Sequence, residues 1–108
     1  MRVLFSTTSG AGHWVPLLPV ARALVDQGHT VVVACPDTSA TALGDRGFDV
    51  SPFDEVEGRT PEQLALFART AETGDPMFAE EAVALGFGYL SPKAALPRLA
   101  ETWERFSP

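Results

Sequence analysis

Arg2-Val3-Leu4-Phe5-Ser6-Thr7-Thr8-Ser9-Gly10-Ala11-Gly12-His13-Trp14-Val15-Pro16 is the stretch on which the fold turns. Its first four residues are a short β-rich run closed by a Ser/Thr/Gly cluster, which reads as a strand. The run lacks polar alternation, the pattern of a strand covered on both faces, as in a parallel sheet. Pro16 suits a first helical position, and Leu17, Leu18, Ala21, Leu24 and Val25 recur at helical spacing up to Gly28, a natural C-cap. Thr30 to Cys35 is a second apolar strand, ended by Pro36-Asp37. Thr38 to Asp45 reads as a short helix closed by Gly47, and Phe48 to Phe53 as a weaker third strand. The order β-α-β-α-β predicts parallel strands joined by right-handed crossovers, an α/β fold with a partial doubly wound sheet.

The second half reads as helical. A capping residue stands before a proline three times, at Thr60-Pro61, Asp75-Pro76 and Ser91-Pro92, each an N-cap followed by proline at the first helical position. The expected helices are Pro61 to Thr73, Pro76 to Leu85 and Pro92 to Phe106. The last carries Leu96, Leu99, Trp103 and Phe106 on one stripe, with Pro97 in its early turns. Gly86 and Gly88 flank Phe87 and suggest a flexible loop. No fourth strand follows, so the element count suggests part of a larger domain, with one side of the first strand an open edge. A complete small three-stranded domain is the alternative.

Composition narrows the function. In 108 residues, 45 % apolar and 20 % charged, the balance is that of a soluble globular chain. A formal charge of −6 argues against nucleic acid and against an anionic membrane surface. No run approaches the roughly 20 apolar residues of a membrane helix, and Val3-Leu4-Phe5 is too short for a secretory signal, so a cytoplasmic location is expected. One cysteine, Cys35, excludes an internal disulfide, and with two histidines leaves too few ligands for structural zinc.

The chemistry concentrates in Ser6 to Pro16, at the carboxyl end of the first strand, where open α/β sheets bind ligands. A phosphate-binding Walker loop is excluded for want of a lysine, and a dinucleotide fingerprint because Val15 stands where its third glycine belongs. Gly10 and Gly12 allow close backbone approach to a ligand, or serve only a tight turn. His13 is placed to act as a general base on a substrate hydroxyl, or as a solvated or capping histidine. Trp14 either stacks on a flat ligand or covers the first helix. His29, in the turn before the second strand, reads as structural, and Asp54-Glu55-Glu57 and Glu80-Glu81 as solvated faces.

Met1 to His13, followed by Pro16-Leu17-Leu18-Pro19-Val20-Ala21-Arg22-Ala23-Leu24, resembles the start of a GT-B, family 1 glycosyltransferase of actinobacterial natural-product (antibiotic) biosynthesis. Gly28-His29-Thr30-Val31-Val32-Val33-Ala34 and Gly47-Phe48-Asp49-Val50 resemble the family's second and third strand entries. The likeness is dense over residues 1–53, thins over 54–88 and returns at 96–108. It implies two Rossmann-like domains facing across a cleft. The N-terminal one binds a hydrophobic acceptor, and this chain is its first part. The other binds a nucleotide-diphosphate sugar and lies outside the chain, with the fourth strand and the acidic partner of the histidine. His13 is then the base of an inverting transfer that needs no metal, and no cofactor is bound by the chain itself. Ser9, Gly10, Gly12 and Trp14 line the acceptor and donor loop, and Met77, Phe78 and Phe87 fall where the family lines its acceptor pocket, although plain helix packing also explains them. The isolated chain is expected to be inactive. The alternative function is a non-catalytic α/β module holding a small ligand at the Gly10–Gly12 loop. A further alternative is a relic that self-associates through its open strand edge.

Overall fold

The computed structural model describes all residues from 1 to 108. They divide into two compact units, one formed by Met1–Asp54 with Pro97–Pro108, the other by Glu55–Leu96.

In the first unit, strands β1 (Arg2–Ser6), β2 (Thr30–Pro36) and β3 (Asp49–Phe53) form a parallel sheet in the order β1-β2-β3. Leu4 lies opposite Val32 and Val33 opposite Val50. Between β1 and β2 run α1 (Ala11–Trp14), a 3₁₀ turn (Val15–Leu17) and α2 (Leu18–Asp26), and α3 (Asp37–Gly44) joins β2 to β3. Helix therefore begins at Ala11, five residues before the proline that sequence reading takes as its start.

Alternate strand residues form the main core. Val31, Val33 and Cys35 pack with Trp14, Ala21, Leu43 and Phe48, and Val3, Phe5, Leu18, Leu24 and Val50 complete the cluster. The intervening residues Ala34, Ser51 and Phe53 are also buried. There the C-terminal part of α6 (Ser91–Phe106) meets the sheet. Thr102 Oγ1 lies 2.6 Å from Ser51 Oγ and donates to the Arg98 carbonyl at 2.8 Å, and Arg105 donates to Ser51 Oγ at 3.2 Å. The Arg2 guanidinium donates to the Phe106 carbonyl at 2.6 Å and lies 4.2 Å over the Phe106 ring. The sheet is thus covered on both faces, as the continuous apolar strands require.

The stripe expected on α6 is covered only in part. Phe106 is buried and Leu99 half-buried, but Leu96 is exposed and Trp103 is 61 % exposed. Thr102 takes the covered position because the Ser51 hydroxyl opposite it requires a polar partner.

The second unit pairs α4 (Pro61–Thr73) with α5 (Met77–Leu85). The Thr60 side chain accepts from the Gln63 amide at 3.3 Å, and Gln63 Oε1 accepts from the Thr60 amide at 3.1 Å, a complete capping box. Gly74 closes α4 in the left-handed conformation. Asp75 Oδ1 accepts from the Met77 amide at 2.9 Å and so caps α5.

The expected loop at Gly86–Gly88 is instead a π-helical turn, Gly86–Leu90, that leads without interruption into α6. Ser91 is therefore internal to a continuous helical path rather than an N-cap. Gln63 Nε2 donates to the Ala82 carbonyl at 3.0 Å, and a Cβ at Gly86 would stand 2.7 Å from that nitrogen. The missing side chain leaves room for Gln63 beside the turn.

Candidate active site

Thr7 carries the sheet ladder one residue past β1, its amide donating to the Ala34 carbonyl at 3.0 Å, and it is buried. The chain then emerges. Thr8, Ser9 and Gly10 are exposed, and Gly10 takes φ 93° and ψ 130°, a backbone region closed to other residues. The turn at Gly10 starts α1, and the His13 amide donates to the Gly10 carbonyl at 3.0 Å. Gly12 is an ordinary helical residue with open space where a Cβ would stand.

Ser9, Gly10, Gly12 and His13 are thereby brought together as one exposed group at the carboxyl end of β1. The His13 imidazole has no hydrogen-bond or ion-pair partner in the chain. The residue is exposed, and no carboxylate orients the ring. Asp37 opens α3 at the end of β2, and Asp54 follows β3, yet neither reaches His13. The one ion pair of the chain is Arg98–Glu101, at 3.4 Å on the surface of α6.

Trp14 stands apart from this group. It is 6 % exposed and is the one buried residue of α1. The Arg46 guanidinium lies 5.0 Å from the centre of its ring and donates to the Ala42 carbonyl at 2.5 Å. Its ring covers the core, leaving no face free to stack on a ligand. Sequence reading missed Arg46 altogether, since nothing local ties residue 46 to residue 14.

Met77, Phe78 and Phe87 lie on α5 and on the turn that follows it. Met77 and Phe78 begin α5 and Phe87 follows its end, about 15 Å of helix away. Phe87 is 60 % exposed on the π-helical turn, and Met77 is 58 % exposed. Phe78 is half-buried, with the Arg69 guanidinium 4.1 Å over its ring.

The remaining reactive groups lie elsewhere. His29 Nδ1 accepts from the Met1 ammonium at 3.1 Å, at the amino end of the strands. Cys35 is fully buried. Burial pushes its thiol up and the charge of Asp37 adds to the effect, so it stays protonated and unreactive. No group of three or more His, Cys, Asp or Glu is arranged to hold a metal, and no helix is long and apolar enough to cross a membrane.

No family model and no curated protein matches the chain. Solved structures do. A glycosyltransferase of Streptomyces sp. SF2575, SsfS6, matches over 100 % of this chain and 31 % of its own, with TM-score 0.70 and 20 % identity. The same values hold for that enzyme complexed with thymidine diphosphate. The glycotransferase of kitacinnamycin matches over 99 % of this chain and 23 % of its own, with TM-score 0.60 and 21 % identity. The fold is therefore that of part of these glycosyltransferases, as the first-strand resemblance implies. The chain spans less than a third of the length of these enzymes.

Proposed function

We propose that the chain is the N-terminal, acceptor-binding part of an inverting glycosyltransferase in which His13 is the general base. The carrying observation is the exposed, unpartnered imidazole at the carboxyl end of β1, in a fold shared along its whole length with glycosyltransferases. In this reading His13 takes the proton of an acceptor hydroxyl. The freed oxygen attacks the anomeric carbon of a nucleotide-diphosphate sugar. The bond from that carbon to the diphosphate breaks with inversion, and the diphosphate leaves with the electron pair. Ser9, Gly10 and Gly12 offer a hydroxyl and approachable backbone to the two substrates, with Trp14 anchoring them from the core.

The acceptor is a hydrophobic natural product, and Met77, Phe78 and Phe87 supply apolar surface for it. The donor domain and the carboxylate that orients His13 come from residues outside the chain, and the reaction belongs to the cytoplasm.

His13→Gln in the full-length transferase tests the reading. Transfer is expected to fall at least about 10²-fold, the usual contribution of a general base, with acceptor affinity retained. An unchanged rate removes His13 as the base. The 108 residues alone are expected to turn over no nucleotide-sugar, and turnover by them would show that no further domain is needed.

A further inference from the structure

We infer that Arg46 is a positioning residue for His13, acting through Trp14. The inference rests on the proposed role of His13 and adds a residue that its sequence neighbourhood does not reveal.

α1 is the first turn of a helical path that continues through the 3₁₀ turn into α2, and this turn has no side-chain cap. Ala11, Gly12 and His13 are all exposed, so the only side chain tying the turn to the core is Trp14. What holds the indole therefore sets the direction in which His13 leaves the surface.

On one side of Trp14 is the core. The Arg46 guanidinium stacks on its ring at 5.0 Å and is itself fixed by its bond to the Ala42 carbonyl in the last turn of α3. The backbone of Arg46 is held as well. Arg22 of α2 donates to the Arg46 carbonyl, and its guanidinium lies 4.6 Å over the buried Phe48 ring. The chain of contacts runs Phe48, Arg22, Arg46, Trp14, and the residue before Trp14 is the proposed base. An arginine suits this place better than a lysine, because its planar cation stacks and donates at once.

The test is amide exchange on the 108-residue chain, with Arg46→Met and the milder Arg46→Lys. Exchange at His13 to Val15 is expected to rise about tenfold in Arg46→Met, through local opening. The His13 ring resonances should move, while the His29 resonances and the protection of β2 and β3 stay as they are. Arg46→Lys should show the same pattern more weakly, and it decides the matter if Arg46→Met does not fold. Unchanged exchange at 13–15, or equal loosening of the whole unit, overturns the inference.

The second readout is the transfer rate. Arg46→Met should lower kcat about tenfold with KM nearly kept, and should have no further effect in a His13→Gln background. Additive losses overturn the inference. If His13→Gln itself leaves transfer intact, it is the base assignment that fails, and the exchange result still stands by itself.

Discussion

At Gly10 the backbone adopts φ 93° and ψ 130°, and the neighbouring Gly12 is plainly helical, so two glycines two residues apart have different reasons to be there. Gly10→Ala places a Cβ on a backbone that L-residues avoid and is expected to cost about 1–3 kcal/mol. Gly12→Ala meets nothing within 4 Å and should stabilise by about 0.5–1 kcal/mol, as alanine does in a helix. Denaturant unfolding of the two variants separates these outcomes. If backbone approach to the substrates is the use of Gly12, Gly12→Ala also lowers transfer while the fold gains. Of the candidate site, Ser9, Gly10, Gly12 and His13 were legible because they are contiguous and follow a strand. The burial of Trp14 was not, because it depends on Arg46 and on core residues of other elements.

Helix boundaries follow local chemistry closely where a cap decides them. α4 runs from Pro61 to Thr73 as Thr60-Pro61 and Gly74 dictate. The π-helical turn does not follow it, because its cause is a side chain from another helix. Gln63 completes the capping box of α4 with its carbonyl oxygen and reaches the Ala82 carbonyl with its amide. It occupies the room that Gly86 leaves. Gly86→Ala must push Gln63 aside and is expected to cost about 1 kcal/mol, the worth of one hydrogen bond. In a Gln63→Ala background the same change should cost close to nothing, since the obstructing amide is gone. Thermal unfolding of the two single variants and the double variant measures the coupling. Additivity would mean that Gly86 is there for some other reason.

For the whole molecule the controlling feature is the sheet order β1-β2-β3, which leaves β1 with a neighbour on one side only. Val3, Leu4 and Phe5 are half-buried there, and of its side chains only Arg2 is tied down by a hydrogen bond, to the Phe106 carbonyl. A strand with a free row of amides and carbonyls invites pairing with another chain. The 108 residues are expected to show a mass that rises with concentration over roughly the micromolar to millimolar range, checked by sedimentation velocity. A constant monomer mass would mean that this edge does not recruit a second copy. The charge of −6 opposes such association, so added salt should strengthen it.

The sequence by itself determined the three strands, the helices α2 to α6 and their order. It also placed the N-cap of α4 and the run from Ser9 to His13 at the carboxyl end of the first strand. These depend on residues within about one helical turn of each other, where propensity and capping act. Tertiary structure alone decided which side of α6 is covered, that Gly86–Leu90 is helical rather than a loop, and that Trp14 is an anchor. In each case the deciding partner is remote in the chain: Ser51 for Thr102, Gln63 for Gly86 and Arg46 for Trp14. Burial and hydrogen-bond satisfaction are settled between such partners, and no local pattern records which one will arrive.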